Sequence, residues 1–124
     1  MSKISSYRDL RIWQLAMDTT VDIYRETAGF PGSETYGLTS QIRRAATSIA
    51  ANIAEGHGRE NTGSFVQFLR IAQGSLKELE THLILAERLG YLDDKIAGGL
   101  LAKTDEIGRM VRSMIRRLQE KMAE

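Results

Sequence analysis

Apolar residues recur along this chain at spacings of three and four, in four successive blocks, and that period marks amphipathic helix. In the first block Leu10, Trp13, Met17, Val21 and Tyr24 share one helical face, which predicts a helix over about residues 8–27. The run Ala28-Gly29-Phe30-Pro31-Gly32-Ser33 breaks it. Gly29 suits a helix C-cap, and Pro31 cannot continue the hydrogen-bond ladder. Ser33 is placed to cap a second helix over about residues 34–55, with Glu34 in its first turn. Its stripe is Leu38, Ile42, Ala45, Ile49 and Ile53, flanked by Ala46, Ala50 and Ala54. Asn61 or Thr62 is placed to cap a third helix over about residues 63–89. Phe65, Phe68, Leu69, Ala72, Leu76, Leu79, Leu83 and Ala86 fit its broad apolar face, whereas Val66, Ile71, Ile84 and Leu85 do not all fit it. Gly90 ends that helix, and Asp93 or Asp94 opens a fourth over about residues 94–122. Ile96, Leu100, Ile107, Met110, Val111, Met114, Ile115 and Leu118 are its inward positions.

Four such helices joined by short loops predict an all-α fold, an up-down-up-down antiparallel four-helix bundle, as one domain over residues 1–124. Composition agrees: 42% hydrophobic and 27% charged residues suit a globular chain, and one proline with eight aromatics (three Phe, four Tyr, one Trp) favours helix over sheet. The absence of cysteine excludes disulfides and thiolate metal sites. No window approaches the roughly 18 apolar residues of a membrane span. Met1–Asp9 hold no apolar run of the kind a signal peptide needs, so a cytoplasmic protein without a membrane partner is expected.

The stretch Gln41–Arg59 asks for more than one bundle. From Ala45 to Ala54 it carries no charge, and the third helix is uncharged from Asn61 to Leu69. Three helical turns without a charged face call for cover on several sides. Self-association is the simplest cover, with Ala46, Ala50, Ala51, Phe65 and Val66 as candidate interface residues. Gly56-His57-Gly58 reads as a helix end and loop. A phosphate cradle would need the Gly-Lys-Ser/Thr ending of a P-loop and a preceding strand.

Candidate chemistry is sparse. A di-iron bundle needs Glu-x-x-His on two helices, but Leu79 stands three residues before His82 and Ala54 three before His57. Glu78 and His82, one turn apart, read as a structural or surface pair. There is no Gly-x-Ser-x-Gly elbow, so no enzyme, cofactor, metal site or small-molecule substrate is expected. The net charge of +1 does not demand a nucleic-acid partner. Residues 103–121 nonetheless carry six basic and three acidic groups. Arg109, Arg112 and Arg116 form a stripe, with Arg117 beside it, and Arg43 and Arg59 are placed to extend the surface. Such a stripe can neutralise the phosphates of RNA or DNA; the alternative is a solvated face with Asp105 and Glu120 as helical partners. Asn52 and Glu55 interrupt an otherwise small and apolar helix and need hydrogen-bond partners. Arg44, Arg70 and the glycine-loop amides are the candidates, as a structural group holding the second helix against the third.

Several ordered motifs resemble one family. They are Asp9-Leu10-Arg11-Ile12-Trp13-Gln14-Leu15-Ala16, Phe30-Pro31, Glu34-x-Tyr36-Gly37-Leu38, Gln41-Ile42-Arg43-Arg44-Ala45-Ala46-x-Ser48-Ile49 and Asn52-Ile53-Ala54-Glu55-Gly56. With Phe68-Leu69-x-Ile71-Ala72-x-Gly74-Ser75-Leu76-x-Glu78-Leu79-Glu80 they are similar to the 23S rRNA intervening-sequence proteins over about residues 7–118. That resemblance implies a four-helix bundle assembled as a ring-like homopentamer, with some members encoded within large-subunit rRNA genes. It also relates the chain to the basic accessory proteins of retroelements, which bind nucleic acid and a reverse transcriptase. This chain departs from that branch in being near neutral. Two functional readings stay open: an oligomeric scaffold that binds RNA or an RNA–protein complex, or a protein-interaction module without a nucleic-acid role.

Overall fold

The computed structural model describes residues 6–124; Met1–Ser5, part of the stretch read for a signal peptide, lie outside the described residues. Four helices follow one another: α1 (Arg11–Thr27), α2 (Leu38–Gly58), α3 (Thr62–Arg88) and α4 (Asp94–Ala123). Single 3-10 turns at Tyr7–Asp9 and Gly32–Glu34 precede α1 and α2. Each helix packs on its neighbours in the order α1, α2, α3, α4 and back to α1, so α2 and α4 stand on one diagonal. This is the all-α bundle that the apolar period predicts.

The interior is filled by branched aliphatic side chains, among them Ile23, Ile42, Ile53, Leu69, Leu79, Leu83, Ile107 and Val111. Each removes water from roughly 1.5–3 kcal/mol worth of apolar surface. On α2 the predicted stripe from Leu38 to Ile53 is buried throughout, and so are all the positions predicted for the face of α3 except half-buried Phe68. Asn61 caps α3 by accepting from Ser64 N–H at 2.9 Å, and Asp93 caps α4 by accepting from Ile96 N–H at 2.8 Å. At the α3 C-terminus Gly90 sits at φ 81°, with Tyr91 N–H bonded to the Ala86 carbonyl at 2.9 Å. That is a Schellman end, which glycine enters without Cβ strain.

Three expectations are corrected. The inward face of α1 is Ile12, Ala16, Thr19, Ile23 and Thr27, not the stripe of bulkier residues. Of that stripe only Leu10 is buried; Met17, Val21 and Tyr24 are exposed, and Trp13 is half-buried. α2, in turn, begins at Leu38 rather than Glu34, and Ser33 does not cap it. Glu34 does so from the preceding 3-10 turn, its Oε1 accepting from Leu38 N–H at 3.0 Å. Its Oε2 accepts from the Tyr91 hydroxyl at 3.2 Å, joining that end of α2 to the α3–α4 turn. Loss of solvent, then this bond to a carboxylate, raises the Tyr91 hydroxyl above its ordinary pKa.

The glycine run does not end α2. The helix continues through Gly56 and His57 to Gly58. Gly56 is buried, and a Cβ there would stand 2.7 Å from Phe68 Cβ and 2.9 Å from Phe65 Cδ1. The residue is glycine because α3 comes too close for any side chain.

Candidate nucleic-acid interface

The outer side of α4 collects the arginines. Arg109, Arg112, Arg116 and Arg117 are all exposed, and the bundle brings two more to them that the stripe alone did not indicate. Arg11, at the start of α1, shares a groove with Arg109 and Arg117 over a floor of Leu10, Ile12, Met110 and Met114. Arg70, on α3, shares the opposite groove with Arg112. Six arginines from three helices thus converge on one side, on and beside the crest of α4. Acidic groups also lie here: Asp105 approaches Arg109 at 3.7 Å, Glu80 pairs with Lys77 at 3.1 Å, and Glu106 and Glu120 are exposed on α4. Glu80 also accepts from the buried Thr104 hydroxyl at 3.2 Å.

The other arginines have different surroundings. Arg43 is half-buried between α1 and α2. Its Nε donates to Thr27 Oγ1 at 3.0 Å, its Nη2 to the Tyr24 carbonyl at 3.2 Å, and its guanidinium lies 4.4 Å from the Tyr24 ring centroid. A cation on the last carbonyls of α1 satisfies the open helix end and its dipole. Arg43 is therefore held at the α1–α2 corner, away from the α4 side. Arg59, at the end of α2, pairs with Glu55 at 3.0 Å and lies over the Phe68 ring at 5.1 Å.

The expected polar group on α2 forms with other partners. Asn52 Nδ2 donates to Ser48 Oγ at 3.0 Å and to the Ser48 carbonyl at 2.8 Å. Ser48 Oγ is 2.8 Å from Ser75 Oγ, so Asn52 reaches α3 through two serines. Glu55 is exposed and turns to Arg59. Among the described residues neither Arg44 nor Arg70 bonds to Asn52 or Glu55; both are exposed. Of the expected interface residues, Ala46, Ala50, Phe65 and Val66 are buried within the protomer, and only Ala51 is exposed. Phe65 is core because it packs against Gly56 of α2, and Ala46 lies on the α1 side, its carbonyl accepting from Thr20.

The apolar surface that does remain lies on both flanks of α2. On one side Trp13, Met17, Val21 and Tyr24 of α1 adjoin α2, where Thr20 Oγ1 donates to the Ala46 carbonyl at 3.3 Å. On the other, Ile71 and Leu85 of α3 are exposed about two helical turns to either side of Glu78, which lines a groove with Thr47, Ser48 and Ala51. Between them α2 shows only small or uncharged residues from Thr47 to Asn52.

His82 and Glu78 stand 3.6 Å apart on α3, and among the described residues no group of three or more metal-ligating side chains occurs. No described helix is long and apolar enough to cross a membrane.

The fold and surface define a helical bundle whose distinguishing chemistry is on its outside. The profile of the 23S rRNA-intervening sequence protein family matches residues 8–113, and the chain belongs to that family. Among solved structures it is similar to a protein of unknown function from the S23 ribosomal protein family of Bacteroides thetaiotaomicron. The two are 25% identical with a TM-score of 0.76, over 84% of this chain and 97% of that one. No curated protein matches.

Proposed function

We propose that this protein is a non-enzymatic cytoplasmic scaffold that assembles from several copies and holds RNA, or an RNA–protein complex, on the α4 side. The observation that carries this reading is the convergence of Arg11, Arg70, Arg109, Arg112, Arg116 and Arg117 from three helices onto that side. Guanidinium groups spaced over one face meet successive phosphates, and each contact releases condensed counterions. Family membership supports the choice of RNA, because the family takes its name from an rRNA insertion.

The assembly rests on the two unlike apolar flanks of α2. Unlike flanks pair head to tail, and a head-to-tail contact whose rotation closes produces a ring. The homopentamer implied by the family resemblance is such a ring. With α2 at the joints, the diagonal helix α4 faces away from them, and each copy adds one arginine face, so weak single contacts multiply.

The test is binding of structured RNA as salt is varied. Affinity should fall steeply with salt, and the Arg109/Arg112/Arg116→Ala triple variant should lose most of it. No binding by the native protein at low salt refutes the reading. The near-neutral charge favours a second reading, a protein-interaction module without nucleic acid. It predicts an absorbance ratio at 260 and 280 nm of pure protein in freshly purified material, and a protein partner in a pull-down.

A further inference from the structure

We infer that the groove between α3 and α4, rather than the crest of α4, seats the nucleic acid, and that its occupant is the sugar–phosphate backbone of a single RNA strand. This rests on the RNA reading above and gives it a location. The groove encloses about 450 Å³. Arg70 and Arg112 line it from opposite helices, and among the described residues neither takes part in an ion pair. The acids beside them are already matched, Glu80 by Lys77 and Thr104, and Asp105 by Arg109. The positive potential left in the groove therefore comes from these two guanidiniums, whose planar donors suit phosphate oxygens.

The groove's walls are also open where a backbone would need them open. Gly74 on α3 and Gly108 on α4 both line it. A Cβ at Gly74 would meet nothing within 4 Å, and one at Gly108 would meet only the Arg112 guanidinium, at 3.5 Å. Neither glycine is demanded by packing inside the protomer, in contrast to Gly56, and each weakens its helix relative to alanine. Close approach of another molecule accounts for both at once. A groove of about 450 Å³ can take the backbone of one strand and is too small for a duplex. Of the other α4 arginines, Arg116 lines neither groove, and Arg117 belongs to the separate α1–α4 groove.

The experiment compares two charge-matched double variants and one filled groove. The probe is a labelled oligouridylate of about 15 nucleotides at low salt. Arg70→Ala/Arg112→Ala should weaken binding about tenfold or more, and Arg116→Ala/Arg117→Ala no more than about threefold. Gly74→Leu alters no charge, and its Cβ meets nothing within 4 Å, so circular dichroism should show the fold unchanged. It should weaken binding about tenfold. If both double variants lose affinity equally and Gly74→Leu binds as the native protein does, the groove assignment is wrong and the broader arginine surface stands. If the native protein does not bind the probe at all, the RNA reading and the groove fall together.

Discussion

Gly56 and Gly90 show how one residue type answers two different demands. At Gly90 the demand is conformational, a left-handed φ that closes the Schellman turn. At Gly56 it is steric, because Phe68 Cβ is fixed to its own backbone and cannot give way to a new methyl group. Gly56→Ala should improve helix propensity yet overpack the α2–α3 contact, for a net loss of about 2 kcal/mol. A lower urea midpoint with an unchanged slope is the expected result, measured by circular dichroism. From sequence the two glycines look alike, since a helix breaker and a site of close approach carry the same letter. The same limit hid Arg11 and Arg70, which join the α4 arginines only once the helices are packed. Arg43 was misleading in the opposite sense: it is a cation by composition but a cap on α1 by position.

Among the elements, α2, α3 and α4 were legible because their branched residues repeat on one face and the core takes that face. α1 was not, because it carries two apolar stripes and size pointed to the wrong one. Met17 and Val21 stay outside while Ala16 and Thr19 go in. Periodicity sets a helix but leaves its rotation open when a second interface also needs apolar residues. The α3–α4 turn carries a prediction of its own. A side-chain hydrogen bond with Asp94, followed by loss of solvent and the Asp94 charge, raises the Glu87 carboxyl above its ordinary value. A carboxyl raised on folding stabilises the folded state below its unfolded pKa, and that contribution is lost as pH rises through the folded pKa. Glu87→Gln should therefore raise the melting temperature at neutral pH. It should also flatten the dependence just above the usual carboxylate range, which thermal melts across that range will reveal.

On the outside of the molecule, exposed apolar residues of α1 and α3 flank α2, and the arginines gather around α4. Val21 is 45% exposed in the protomer and sits in the α1 flank. In the proposed ring it is covered, so Val21→Asp should give monomers by light scattering while helix content holds. An assembly of unchanged mass would place the joint elsewhere, and a native protein that is itself monomeric would remove the ring altogether. The uncharged run Ala45–Ala54 is a poor guide to bare surface, because Ala45, Ala46, Ile49, Ala50 and Ile53 are buried within the protomer.

The diagonal placement of α2 and α4 has a further consequence for how such a chain can be altered. The two helices are not neighbours in the bundle, so outward changes at positions 109, 112 or 116 are remote from α2. Those outward positions are open to randomisation in a library, with Gly56 and the small residues of α2 left in place. Recognition can then be reassigned one helix at a time, on a body whose core is inherited unaltered.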